Sequence, residues 1–471
     1  MSSPATMTAP ATAAAVSPAP GIAAAVPPAV VASLLNDAET DVQDVLHRPL
    51  PATMRALVLL REDEQRMRSA PADKRHGFAT LHYRDVPVPQ PGVGEVLVAV
   101  MAASLNYNTL WSARHEPMSP FRYLGQFAQL EAANARHNVD YQVIGSDACG
   151  VVVQIGDGVT NCRPGDRVVI HPGVVNPQSP MVHADAVRDD HTRAWGFETN
   201  FGSLAEYCLV RASQLMPKPA HLSWEEAASL PLVNGTVYRM LVSDNGARLR
   251  LGESVLIWGG VGGLGSLAIQ YVLRAGGHPI AVVSSPAKAE LARALGCEAV
   301  IDRSAEGYRF VAADGSPNMR DMLRFRKQVR SLNHGRDPEI VFEHTGKETF
   351  ATSVFVAAHG GRVVTCGSTS GFDHGYDNRY LWMHVKSIIG SHGANWYEAW
   401  QANDLVCRGL IVPTVSAVFP LAETRQGIEQ MRSNTHVGKI AILCQAGQPG
   451  QGIEDPALRA RVGEQRLMLF R

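Results

Sequence analysis

From Ser254 onward the hydrophobic positions of the chain fall into two alternating kinds of block. Short continuous apolar runs read as buried strands. Between them, apolar residues recur every third or fourth position, as an amphipathic helix requires. The pattern predicts a strand over Ser254–Trp258, a helix over Gly263–Ala275, a strand over Pro279–Val283, a helix over Pro286–Leu295 and a strand over Ala299–Ile301. "PEIVFEHTG" and "GRVVTCGSTSG" supply two more apolar strands. Alternating β and α units predict a doubly wound parallel sheet, an α/β fold.

Before this region the pattern is different. Met54–Leu60 ("MRALVLL") reads as a first strand, and "GEVLVAVMAASLNY" as a strand entering a loop. Up to about Leu232, short β-rich runs are broken by Gly and Pro, most plainly in "GVVVQIGDGVTNCRPGDRVVIHP". After about Ser391 come a helix ("YEAWQANDLVCRG") and strand-like pieces ("GKIAILC"), which are expected to return to the first domain. The expected division is a tail over residues 1–29, a β-rich domain over 30–238 and 392–471, and a nucleotide domain over 239–391, with order beginning near Val30.

Composition removes several function classes. Lys plus Arg is 43 and Asp plus Glu is 44, a balance that gives no electrostatic argument for nucleic acid or an anionic membrane. No apolar run is long enough to span a bilayer. The first thirty residues are rich in Ala, Pro, Ser and Thr, with little large apolar area to bury, so disorder is expected there. They lack a basic segment leading into an apolar one, so no signal peptide is expected. Cys149, Cys162, Cys208, Cys297, Cys366, Cys407 and Cys444 are scattered with no C-x-x-C spacing, which fits a reducing compartment. The expected location is the cytoplasm.

The chemistry begins at Gly260-Val261-Gly262-Gly263-Leu264-Gly265. A G-x-G-x-x-G string alone is weak, but here an apolar strand precedes it and a helix pattern follows. Gly260, Gly262 and Gly265, with Gly263 and Leu264 between them, then form a turn whose backbone approaches a pyrophosphate at a helix N-terminus. An NAD site has Asp or Glu at the end of the second strand to hold the ribose 2′-hydroxyl. Here that strand ends in Ser284-Ser285, followed by Lys288, with Arg303 after the third strand. Hydroxyls and cations accept a 2′-phosphate that a carboxylate would repel, so NADPH is the expected cofactor.

The two-domain order resembles the medium-chain dehydrogenase/reductase superfamily, which joins a GroES-like β-rich catalytic domain to a Rossmann domain. Its zinc alcohol dehydrogenases carry a Cys after the early strand and a His in Gly-His-Glu. Those places read Asn106-Tyr107-Asn108 and Gly145-Ser146-Asp147, and no convergent ligand set is found, so no metal is expected. "NYNTLW" (Asn106–Trp111), "WGFETNFGSLAEY" (Trp195–Tyr207), "FEHTGKETF" (Phe342–Phe350), "YDNRYLWM" (Tyr376–Met383) and "GSHGAN" (Gly390–Asn395) together resemble the crotonyl-CoA carboxylase/reductase family. The resemblance runs from about Met54 to Arg471.

The resemblance implies reduction of a 2-enoyl-CoA by NADPH with addition of CO2, giving a 2-alkylmalonyl-CoA of the kind used as a polyketide extender unit. It implies that Asn108, Phe197, Glu198 and His392 surround the CO2. Asn108 and His392 would donate hydrogen bonds, Phe197 would exclude solvent, and Glu198 would orient His392 or a water. Arg379 matches an arginine that contacts a CoA phosphate, and Asn245 a residue near CoA at a subunit contact. Self-association, as a dimer of dimers, is expected on the same ground. Gly367 and Gly393 stand where larger residues are common, which predicts room for an acyl chain longer than four carbons. Two other functions share the cofactor site: an enoyl-CoA reductase whose enolate is protonated, and a non-enzymatic NADPH-binding protein.

Overall fold

The computed structural model describes residues 50–69 and 78–471. The tail expected over residues 1–29 and the onset of order expected near Val30 lie outside the described residues.

The first unit contributes ten strands from the described residues: β1 (Thr53–Leu60), β2 (His82–Pro87), β3 (Glu95–Ser104), β4 (Tyr141–Val143), β5 (Ala148–Ile155), β6 (Arg167–Ile170), β7 (Gly173–Val174), β8 (Arg193–Ala194), β9 (Tyr207–Arg211) and β10 (Leu215–Pro217). β1 lies between β2 and β4 in a small antiparallel sheet. β3 runs through the middle of a larger sheet, which explains why "VLVAVMAAS" is apolar on both faces rather than alternating. Leu97, Ala99 and Met101 enter one core, and Val96, Val98 and Val100 enter another. A short helix, α1 (Tyr107–Arg114), follows β3 directly and starts at Asn106.

The chain then passes through α2 (Pro231–Leu241) into the second unit. Here run β11 (Ser254–Trp258), α3 (Gly263–Arg274), β12 (His278–Val283), α4 (Pro286–Ala294), β13 (Ala299–Asp302), α5 (Met319–Leu332), β14 (Ile340–Glu343), α6 (Phe350–Val356), β15 (Arg362–Thr365) and β16 (Ser387–Gly390); the hydrophobic pattern predicts all of them but α5, α6 and β16. The six strands are all parallel, in the order β13-β12-β11-β14-β15-β16. This is the Rossmann arrangement, with its crossover between β11 and β14. Alternation along β11 feeds both faces. Val255 and Ile257 pack with Leu267 and Ala268 of α3, whereas Leu256 and Trp258 pack with Phe325 of α5 and Val354 of α6. Each such fully buried aliphatic contributes ~1.5–3 kcal/mol.

After β16 the chain returns. α7 (Trp396–Cys407) packs on α2, while β17 (Val415–Pro420), α8 (Thr424–Arg432) and β18 (Lys439–Leu443) go back to the first unit. β18 pairs antiparallel with β3 and parallel with β17, so the larger sheet has the order β10-β6-β5-β3-β18-β17, with β9 also on β3. The fold class is therefore α/β, a β-rich unit closed by the chain's end and a Rossmann unit between its parts.

Candidate active site

A cavity of about 590 Å³ lies between the two units, beyond the carboxyl ends of β11 and β12. Open α/β sheets bind ligands at this place, where the strand order reverses.

The glycine turn forms one wall, and its glycines divide into two sets. Gly262, Gly263 and Leu264 line the cavity, with Gly262 capping α3. Gly260 and Gly265 lie behind them. A Cβ on Gly260 would sit 2.7 Å from the Ala281 Cβ, and one on Gly265 would sit 2.2 Å from the Gly259 carbonyl oxygen. Their missing side chains therefore let strand, turn and helix close on one another. Gly259 takes φ +60° with His344 against it, and His344 Nε2 donates to the Trp258 carbonyl at 2.9 Å. The next residue back, Glu343, is fully buried and accepts from Thr345 N at 2.7 Å, Gly346 N at 3.0 Å and Ser353 Oγ at 2.6 Å. The N-terminus of α3, capped by Gly262, opens onto the cavity, where helix N–H groups suit a pyrophosphate.

At the far end of that wall stand Ser284, Lys288 and Arg303. Burial lowers the Lys288 pKa, and the neighbouring Arg303 lowers it further, as two cations facing one space must. No carboxylate ends β12; Arg303 pairs at 3.5 Å with Glu348, which is exposed. Ser285 does not line the cavity. Its Oγ is spent as the N-cap of α4, accepting from Lys288 N at 3.3 Å, and its neighbour Ser284 faces the space instead. These residues fit a dinucleotide carrying a 2′-phosphate.

Asn106, Ser146 and Asp147 occupy the ground on which zinc members of the superfamily build their metal site. Here the cation is already supplied by the protein. Lys439 Nζ, at the start of β18, donates to the Leu105 carbonyl at 2.7 Å and to Asn106 Oδ1 at 2.6 Å, and it lies 3.2 Å from Asp147 Oδ2. Asp147 also accepts from Ser104 Oγ at 2.9 Å, Asn106 Nδ2 at 2.8 Å and Leu232 N at 2.8 Å. The donors present are amides, hydroxyls and one already paired carboxylate around an ammonium, and that set does not fit zinc. No group of three or more His, Cys, Asp or Glu side chains able to hold a metal occurs among the described residues.

Asn108, Phe197 and His392 line the same cavity as the glycine turn, although they come from α1, the loop after β8 and the loop after β16. Asn108 Nδ2 donates to Ser146 Oγ at 2.8 Å. Phe197 packs against Tyr123, with ring centroids 5.5 Å apart. Glu198 stands behind this wall. Its Oε2 accepts from Ala194 N at 2.7 Å and closes the turn that presents Phe197. No hydrogen bond joins it directly to His392 among the described residues.

Gly367 lines the cavity, and a Cβ there would meet only the His344 carbonyl oxygen at 3.5 Å and its Cβ at 3.9 Å. Gly393 also lines it, in a left-handed conformation with φ +55°. Arg379 and Asn245 lie outside the wall. Arg379 is exposed and pairs with Asp377 at 2.6 Å. Asn245 Nδ2 donates to Glu398 Oε1 at 2.9 Å.

Sequence reasoning missed three groups that shape the site. Tyr123, Lys439 and His171 carry no local motif, and their partners are distant in sequence. His171 sits on the cavity wall, where burial lowers its pKa to about 4, so it is neutral. Cys366, on the wall beside Gly367, is pushed by burial to about 12.

A GroES-like β-rich unit, a Rossmann unit and a cleft without zinc ligands define a zinc-free medium-chain dehydrogenase/reductase. The sequence profile described as "Alcohol dehydrogenase GroES-like domain" matches residues 92–220, and that described as "Zinc-binding dehydrogenase" matches residues 263–406. The crotonyl-CoA reductase of Streptomyces collinus is 48% identical over 88% of this chain and 92% of its own length. The crotonyl-CoA carboxylase/reductase of Cereibacter sphaeroides is 38% identical over 80% of this chain and 87% of its own. The solved structure of a 2-octenoyl-CoA carboxylase reductase in complex with NADP and 2-octenoyl-CoA superposes with a TM-score of 0.89 at 49% identity, covering 94% of this chain and 98% of the other. The chain belongs to the crotonyl-CoA carboxylase/reductase family.

Proposed function

We propose that this protein catalyses NADPH-dependent reductive carboxylation of a 2-enoyl-CoA to a 2-alkylmalonyl-CoA. The observation that carries this reading is a single cavity shared by the dinucleotide turn and by Asn108, Phe197 and His392. Bound NADPH supplies a hydride to the β-carbon of the enoyl thioester, leaving an enolate with a nucleophilic α-carbon. Either CO2 or a proton can meet that carbon, and the chain's own residues decide between them.

Three titratable groups on the cavity wall are weak acids. His171 is neutral, the Cys366 thiol is held at about 12, and burial raises the Tyr107 phenol above its ordinary value. Burial lowers the Lys439 pKa, and its Nζ is directed to Leu105, Asn106 and Asp147. His171, Cys366 and Tyr107 are therefore poor proton donors to the enolate. In this reading Asn108 Nδ2 and the His392 ring donate to the CO2 oxygens, and Phe197 keeps water away. Glu198 acts indirectly, by holding the Phe197 turn. Ser284, Lys288 and Arg303 hold the 2′-phosphate, and the exposed Arg379 exchanges its partner Asp377 for a CoA phosphate.

The acyl chain is longer than four carbons. Gly367 leaves unfilled the space that an alanine methyl would take, and a family relative of 49% identity is a 2-octenoyl-CoA enzyme. The protein works in the cytoplasm as a homo-oligomer. All seven cysteines are free, and no described helix is long and apolar enough to cross a membrane. The test is the mass of the product from C4 to C8 2-enoyl-CoAs, with bicarbonate present and withheld. The expected result is a carboxylated product with the highest kcat/KM above C4. A saturated monoacyl-CoA at saturating bicarbonate would establish simple reduction instead, and a steep preference for crotonyl-CoA would remove the long-chain assignment.

A further inference from the structure

Next to the segment that carries His392, and outside the lining of the cavity, lies a buried ionic cluster. Arg239 on α2 is 5% exposed, and it bridges two buried carboxylates. Its Nη1 and Nη2 donate to Asp185 at 3.0 and 2.7 Å, and Nη1 also donates to Glu398 at 2.8 Å. Asp185 opens the stretch that runs through β8 to Phe197, whereas Glu398 lies in the first turn of α7, just after the segment that bears His392.

Asn395 joins the two sides. Its Nδ2 donates to Asp185 Oδ1 at 3.2 Å, its backbone N–H donates to Glu398 at 2.8 Å, and its Oδ1 accepts from Glu398 N at 2.9 Å. One residue earlier, the Ala394 carbonyl accepts from His171 Nε2 at 2.9 Å. On the other flank, Ser391 N donates to the Thr365 carbonyl at 2.8 Å. The backbone of Ser391–Asn395 is therefore tied to both units, while the His392 ring has no hydrogen-bond partner among the described residues.

A buried ion cluster is an inefficient way to stabilise a fold, because hydrophobic replacements are often neutral or better. This one ties the segment that follows His392, through Asn395 and Glu398, to Asp185 in the stretch that leads to Phe197. We propose that Arg239, Asp185, Asn395 and Glu398 are positioning residues that hold His392 opposite Phe197 and thereby set how the enolate divides between CO2 and a proton. This rests on the reductive carboxylation proposed for the chain. In capture, the enolate electron pair forms a C–C bond to CO2 and one C=O pair moves onto oxygen as a carboxylate. In the competing outcome the same pair forms a C–H bond to a proton from solvent.

Two variants test it. Asn395→Ser keeps an N-cap hydroxyl for α7 but cannot reach Asp185. Arg239→Met removes the bridging charge at similar length. Products are measured at a bicarbonate concentration where the wild type mainly carboxylates. The expected result is a roughly fivefold or greater rise in the fraction of saturated acyl-CoA, with the bicarbonate KM rising in step, since small misplacement of a positioned group is costly in rate. The KM for NADPH and the rate of NADPH consumption without bicarbonate stay within about twofold of wild type, because the hydride step does not use His392. Folded Asn395→Ser and Arg239→Met proteins with wild-type product ratio and bicarbonate KM would overturn the proposal, even if both melt earlier, and would reduce the cluster to a structural brace. A wild type that never carboxylates would instead refute the functional reading, and this proposal with it.

Discussion

Three histidines are buried in the neutral form, and each makes the fold sensitive to acid. Burial lowers His137 to about 3 and His171 and His221 to about 4, from an ordinary value of 6.5. A histidine whose folded pKa is depressed takes up its proton more readily when unfolded. Its contribution is fully present above the unfolded value and is lost as pH falls from about 6.5 toward the folded pKa. Each proton costs roughly 1.4 kcal/mol per pH unit in that window. Urea midpoints at pH 7, 6 and 5 are expected to fall progressively, and His171→Gln is expected to flatten the slope. A second prediction concerns Lys288 and Arg303: replacing both by Ala is expected to raise the KM for NADPH by about tenfold or more while leaving that for NADH nearly unchanged, since only the 2′-phosphate is lost. At this scale the sequence was readable where a residue's role follows from its place after a strand, as for Lys288 and Arg303. Ser285 was not, because a helix cap and a phosphate ligand ask for the same hydroxyl. His171 and Lys439 were not, because the partners that fix them in the site, Ala394 for His171 and Leu105, Asn106 and Asp147 for Lys439, lie more than two hundred residues away in the chain.

Between strand and helix, the glycine turn tolerates no side chain at Gly265, where a Cβ would fall 2.2 Å from the Gly259 oxygen. Gly265→Ala is expected to abolish NADPH binding in a fluorescence titration. Breaking the join between β18 and the first unit has a different signature. Lys439→Met leaves Asp147 charged and fully buried, and removing one member of a buried pair costs about 3–5 kcal/mol. Chemical denaturation measures that loss, which Lys439→Arg is expected to recover in part. The strands β11–β15 and the helices α3 and α4 were legible because parallel strands buried on both faces stand out as continuous apolar runs between helices, whereas α5, α6 and the half-exposed edge strand β16 were not read. The first unit was legible only as β-rich. Its central strand β3 is completed by β18, a pairing that no local pattern specifies.

In the whole molecule, neither unit contains a site alone. The turn on α3 offers phosphate-binding N–H groups, the first unit offers Asn108 and Phe197, and the returning segment offers His392. The residue set that implies carboxylation was visible in the sequence only as scattered strings, and folding brings Asn108, Phe197 and His392 to one cavity, with Glu198 bonded to Ala194 N in the turn that carries Phe197. The central claim is that one cavity performs hydride delivery and CO2 capture in succession on adjacent carbons. The most direct measurement is turnover of 2-octenoyl-CoA with NADPH deuterated at the transferred position and with ¹³C-bicarbonate, followed by mass spectrometry and NMR of the product. The account predicts one product carrying deuterium at C3 and the ¹³C label in a carboxylate on C2. Deuterium at C3 with a solvent-derived hydrogen and no ¹³C at C2 would contradict it.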